Sequence, residues 1–95
     1  MGQASVIEVS SEGGRGFLVR AAGHRFEVTV AGALVAELGA PDAPSLVRAA
    51  FQFLLEREPA GSILPRFDLG VIERYFPGWR SEMRRRFAAG SRPAP

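Results

Sequence analysis

The chain has 95 residues, of which 46% are hydrophobic and 23% are charged, close to the average for globular proteins and too apolar for a disordered chain. It contains no cysteine, which excludes disulfides, thiol catalysis and zinc sites with sulfur ligands. No apolar run approaches the roughly 20 residues of a membrane span, and no signal-peptide pattern is present. We therefore expect a cytoplasmic protein that does not enter a membrane.

All twelve basic residues are arginine, and their distribution along the chain is uneven. Residues 1–60 carry five arginines against seven acidic residues, whereas residues 61–95 carry seven arginines against three. The absence of lysine excludes Schiff-base chemistry and the phosphate-binding lysine of a P-loop. The formal net charge is only +2, so a basic surface is expected in the last third alone.

The first third of the chain predicts three β-strands, over residues 5–10, 16–22 and 24–30. In the third strand every second residue from Phe26 to Val30 is apolar, and the residues between them are polar. A period of two is typical of strands with one buried and one wet face. Glycine-rich turns separate the strands, so they form a three-stranded antiparallel β-meander.

After Ala31 the period lengthens, and the rest of the chain predicts about four helical segments that pack mainly on one face of the sheet. Asp42 and Asp68 are suited to N-capping, and Gly39 to ending a helix. The segments are residues 31–38, 45–57, a short helical turn at 62–67 together with the helix 69–76, and a last helix that follows Pro77 and Gly78. The fold class is α+β. We predict a single domain over residues 4–88 and a flexible tail over 90–95.

Residues 55–77 resemble a block found in a family of small, uncharacterised bacterial proteins. The pattern in this chain is E-R-E-P-x-x-S-I-L-x-x-F-D-L-x-V-I-x-R-Y-F-P. The resemblance extends over the helix at 46–55 and, more weakly, over 28–38, while Pro65 and Gly78–Trp79 depart from it. The family has no established activity, so the resemblance implies a folded unit and no particular chemistry.

Catalytic, cofactor and metal sites find no support in the residue pattern. His24 is the only histidine, and structural zinc needs four ligands. The acidic residues Glu56, Glu58, Asp68 and Glu73 have structural roles at helix ends and surfaces, with Arg57 or Arg66 as ion-pair partners for Glu58. We predict that the chain is not an enzyme and binds no cofactor or metal.

Two apolar features lead to the main functional hypothesis, a non-enzymatic protein-interaction module whose partner is another protein or a second copy. The helix at 45–57 has an apolar face too broad for one sheet. Trp79, Met83 and Phe87 recur at every fourth residue of the last helix, next to Tyr75. We expect Phe76 to be buried and Trp79 to be partly exposed, as in interface hot spots.

The alternative hypothesis is a small DNA-binding regulator of antitoxin type. One ground for it is the group of arginines in the last helix. The other is Arg25, which lies in a segment whose order of strand, helix, turn and helix is like that of ribbon-helix-helix proteins. A solvated helix explains the same arginines without a ligand. The candidate contacts in the last helix are Arg80, Arg84, Arg85 and Arg86.

Overall fold

A computed structural model describes residues 6–91, with side chains described through residue 88. Four strands form one sheet in the order β1-β2-β3-β4. The strands are β1 (Ile7–Ser11), β2 (Gly16–Ala21), β3 (His24–Thr29) and β4 (Arg66–Asp68). The helices are α1 (Gly32–Glu37), α2 (Ala43–Arg57), α3 (Ile72–Tyr75) and α4 (Trp79–Ser91), with 3-10 turns at Ala60–Ser62 and Leu69–Val71.

Strands β1 to β3 form the predicted antiparallel meander, and this part of the fold prediction is confirmed. Val19 lies opposite Val9 on one side and opposite Phe26 on the other. Val19 and Phe26 are buried, whereas Arg20 and Arg25, on the other face, are exposed. The helices therefore cover one face of the sheet, and the opposite face of the meander is wet.

The prediction of a helical turn over residues 62–67 is wrong, because the 3-10 turn ends at Ser62 and a fourth strand begins at Arg66. β4 pairs with β3 in parallel, which makes the sheet mixed, and Phe67 lies beside Val28. The backbone N–H of Glu27 donates to the carbonyl of Pro65 over 2.8 Å. Three residues are too few to display a period of two, so this strand depends on its tertiary partner.

The caps predicted for the first two helices are present. Gly39 has a positive φ of 76° directly after α1, and the Asp42 carboxylate accepts from the Ser45 N–H over 2.8 Å. The broad apolar face of α2 is covered inside the chain, since α2 packs on β1, α1 and α4. Its buried residues are Leu46, Val47, Ala49, Ala50, Phe51, Phe53 and Leu54.

Trp79 is fully buried, so the expectation that it is partly exposed is wrong. A turn at Gly78, whose φ is +97°, separates α3 from α4, and the first residue of α4 lies in the core together with Met83. Phe76, expected to be buried, is half-buried. Helix α4 continues through Ser91, into the segment predicted as a tail, and residues 92–95 lie outside the described residues.

The Ala22–Gly23 turn gives a test of the hairpin between β2 and β3. Ala22 has φ +53°, a left-handed conformation that costs an L-residue with a Cβ roughly 1–2 kcal/mol, and asparagine tolerates it better. We expect Ala22→Asn to raise the free energy of unfolding by about 1 kcal/mol in urea denaturation. The contrasting variant Ala36→Asn, on the exposed side of α1, should lower it by about 0.5 kcal/mol. A loss of stability in Ala22→Asn would contradict this reading of the turn.

Candidate interaction groove

An apolar pocket of about 300 Å³ opens between the C-terminal end of α2 and the segment 62–76. We call it the groove. Its floor is formed by the buried side chains of Leu54 and Ile72. Half-buried Phe67 and Phe76 line its walls and are held by ring contacts to the aromatic residues of α2. The floor of the groove therefore belongs to the core of the domain, and its aromatic walls pack against that core.

The rim of the groove carries two large hydrophobic side chains that the core does not cover. Leu64 is 47% exposed and Tyr75 is 65% exposed. Among the described residues only Val6, at 70%, is another exposed large hydrophobic side chain. Two of these three residues line one pocket, so the groove combines exposed apolar side chains with a concave site.

Local sequence signals place these residues around the end of α2. Glu58 is the C-cap and has an extended backbone, as expected for a residue that precedes a proline. The 3-10 turn after Pro59 reverses the chain, with the Ser62 N–H donating to the Pro59 carbonyl over 2.9 Å. The following residues then return along the helix end and run into β4.

Asp68 fixes the far side of the groove. One carboxylate oxygen accepts from the Thr29 hydroxyl over 2.7 Å, which ties β4 to β3. The other accepts from the Gly70 N–H over 3.1 Å and caps the 3-10 turn that leads into α3. The prediction that Asp68 is an N-cap is therefore confirmed, and the cross-strand bond is an additional role.

Asp68→Ala removes both bonds at once, and we expect it to lower the free energy of unfolding by about 1–2 kcal/mol. Thr29→Val removes the cross-strand bond alone and should cost about 0.5–1 kcal/mol. Urea denaturation of the two variants measures the difference. Equal losses would mean that the cap on Gly70 does not contribute.

Glu58 is the one charged residue that lines the groove. Its predicted partners are engaged elsewhere. Arg57 pairs with Glu56 at 3.2 Å and its guanidinium lies 3.7 Å from the centre of the Phe53 ring. Arg66 pairs with Glu27 at 3.3 Å. Within the described residues, the half-buried Glu58 carboxylate has no ion-pair partner.

The four residues proposed as an interaction stripe occupy different places. Trp79 and Met83 belong to the core, and Phe87 is partly buried and packs against that core. Their spacing identifies the inner face of α4. The sequence pattern therefore predicted the helix correctly, but it did not predict that this face is covered by the core. Tyr75 alone is largely exposed, and it lies on the rim of the groove.

The arginines of α4 are paired with carboxylates of the same chain. Arg80 donates to both carboxylate oxygens of Glu37 over 2.9 Å, and Arg84 reaches the same group over 3.2 Å. These contacts join α4 to the end of α1. Glu73 lies on the same side, where its carboxylate accepts from the backbone N–H groups of Gly78 and Arg80.

The other two arginines share Glu82 within α4, and Arg86 also joins α4 to α2. Arg85 and Arg86 each donate to Glu82 over 2.8 Å, and Arg86 also donates to Glu56 over 2.8 Å. Four arginines thus meet a similar number of carboxylates within the described residues, and little positive charge is left uncompensated along this helix.

Arg25 lies on the exposed face of β3, directly opposite Arg20 of β2. In ribbon-helix-helix proteins the corresponding strand pairs with its twin across a dimer. Here β2 pairs with the whole of β3 along one edge, and β4 pairs with residues 27–29 along the other. Part of the second edge is therefore occupied within the chain, and this geometry does not favour that mode of DNA binding.

His24 is exposed at the start of β3, next to Gly61. Within residues 6–91, no group of three or more histidine, cysteine, aspartate or glutamate side chains could hold a metal ion. No helix in the described part of the chain is long and apolar enough to cross a membrane.

No protein-family model, no curated protein and no solved structure matches this chain. The resemblance of residues 55–77 to a bacterial family therefore stays a prediction from the residues themselves. Functional inference rests on the geometry of the chain.

The carboxylates of Glu82 in α4 and Glu73 in α3 give a test by pH. Hydrogen bonds from Arg86 and then Arg85 lower the pKa of Glu82 from 4.5 to about 2, and hydrogen bonds from the backbone of Arg80 and Gly78 lower the pKa of Glu73. A pKa lowered in the folded state stabilises the fold above the unfolded value, and this stabilisation is lost as the pH falls.

We therefore expect the free energy of unfolding to decrease as the pH falls from 4.5 toward about 2, measured by urea denaturation with Trp79 fluorescence as the signal. Glu82→Gln should reduce this pH dependence, because the side chain no longer titrates. Glu12→Gln, at an exposed site without an ion pair among the described residues, is the control and should leave the dependence unchanged. Identical pH profiles for wild type and Glu82→Gln would refute the assignment.

Proposed function

We propose that the chain is a non-enzymatic module that binds a short apolar segment of another protein in the groove. The observation that carries the proposal is the exposure of Leu64 and Tyr75 at the rim of an apolar pocket whose floor is formed by the core residues Leu54 and Ile72. Water-exposed apolar side chains around a preformed concave site are typical of surfaces that bind a partner. The proposal does not depend on the broad face of α2 or on the stripe on α4, since both are covered within the chain.

The size of the groove favours a short segment over a second folded copy. A volume of about 300 Å³ accommodates one or two side chains. Stable dimers bury roughly 800 Å² on each partner. Among the described residues only Leu64, Tyr75 and Val6 are exposed large hydrophobic side chains, too few to build an apolar interface of that area. A peptide-like segment with one large apolar anchor is therefore the occupant that fits best.

Nucleic acid is the less supported alternative, because the arginines of α4 are already paired with Glu37, Glu56 and Glu82. Binding of phosphates by these residues would require breaking the pairs that join α4 to α1 and α2. Fluorescence anisotropy with duplex DNA over a salt series distinguishes the two functions. Binding that weakens steeply with salt and is lost in Arg84→Ala would favour the DNA reading.

The proposed function is tested by selecting peptides from a random phage-displayed library on the immobilised chain and measuring their affinities in solution. We expect selected peptides to share a large apolar residue and to lose about fivefold or more in affinity for Leu64→Ser or Tyr75→Ala. Both side chains are exposed, so these variants should fold normally.

Val6→Ser is the matched control, since Val6 is also an exposed aliphatic residue but immediately precedes β1, at the opposite side of the sheet from β4. It should leave the peptide affinities unchanged. Failure to select any peptide, or peptides whose affinity is insensitive to Leu64→Ser and Tyr75→Ala, would refute the proposal. Self-association lost in Leu64→Ser would instead identify a second copy as the occupant.

A further inference from the structure

The end of the groove next to α2 carries negative charge that no residue in the described part of the chain neutralises by an ion pair. Glu58 lines the groove, is half-buried and makes no ion pair among the described residues. It is also the C-cap of a 15-residue helix. The carbonyls at a helix C-terminus amount to roughly half a negative charge, so the helix and the Glu58 carboxylate act in the same direction.

The arginines closest in sequence are directed to other partners. Arg57, in the last turn of α2, donates to the Phe53 carbonyl over 3.1 Å and to Glu56. Arg66 pairs with Glu27 on the sheet. Neither Arg57, Arg66 nor the exposed Arg74 lines the groove. Arg57 thus serves the helix end itself, whereas the Glu58 carboxylate has no basic partner among the described residues and is left open to a ligand.

We infer that the groove selects a segment in which a cationic side chain is adjacent to the apolar anchor, with Glu58 as the specificity-determining residue. This inference rests on the proposed function and adds the chemistry of the partner to it. The apolar anchor contacts the walls formed by Phe67 and Phe76, and the cation meets the carboxylate at the end of α2. An acidic segment is disfavoured by the same charge.

The test uses three small probes with the same phenyl ring and different charge: 2-phenylethylammonium, 2-phenylethanol and 3-phenylpropionate. Each is titrated into the ¹⁵N-labelled full chain, and dissociation constants are taken from shifts of groove amides such as Leu64 and Tyr75. We expect the cation to bind about three- to fivefold more tightly than the alcohol, and the anion to bind more weakly than both. The preference should shrink in high salt.

Glu58→Gln keeps the shape of the side chain and should abolish the preference while leaving the affinity for the alcohol unchanged. Glu8→Gln, at an exposed residue of β1, is the charge-matched control and should preserve the preference. Equal affinities for all three probes, or a preference that persists in Glu58→Gln, would overturn the inference and leave the proposed function intact. Absence of groove shifts with every probe would contradict the proposed function itself.

Discussion

The parallel pairing of β4 with β3 is the contact on which the functional part of this fold depends. Two hydrogen bonds hold it beyond the strand register, one from the Glu27 N–H to the Pro65 carbonyl and one from the Thr29 hydroxyl to Asp68. This pairing brings the chain back to the sheet after α1 and α2. It places the residues before and after β4 beside the end of α2, where they enclose the groove.

Helix α4 is held in place in a different way, because its inner face is apolar and buried and its outer face is charged. Trp79 and Met83 supply the buried part. Pairs of arginine with Glu37 and Glu56 then fix the helix against α1 and α2. Each exposed pair contributes only about 0–1 kcal/mol, so the network serves the orientation of α4 more than its stability.

Features that depend on local periodicity and capping could be predicted from the sequence. The three meander strands, the cap at Asp42 and the cap at Asp68 are all carried by residues within a few positions of one another. β4 could not be predicted, because its only signal is a partner strand about forty residues earlier. The exposure of Trp79 was misjudged for the same reason, since its burial depends on the turn at Gly78 and on elements distant in sequence.

The residues of the candidate site likewise divide into those that the local sequence identifies and those that only the tertiary fold reveals. Tyr75 was singled out from its aromatic neighbours and lies on the rim of the groove, whereas Leu64 and Glu58 carried no distinctive signal. The pairing of the arginines with glutamates from α1 and α2 was likewise invisible to spacing along one helix. Only the tertiary fold shows which charged groups lack an ion-pair partner. Those groups mark where charge is available to a ligand.

The uncovered face of the sheet has a consequence for how copies of this chain meet. Arg20 and Arg25 lie directly opposite one another there, and neither makes an ion pair within the described residues. Glu8 lies opposite Arg20 on the same face, so this surface carries several exposed charged groups. Stacking a second sheet on it would strip water from these groups. Their hydration therefore resists face-to-face stacking of sheets and leaves the helical side as the place where further apolar surface can be buried.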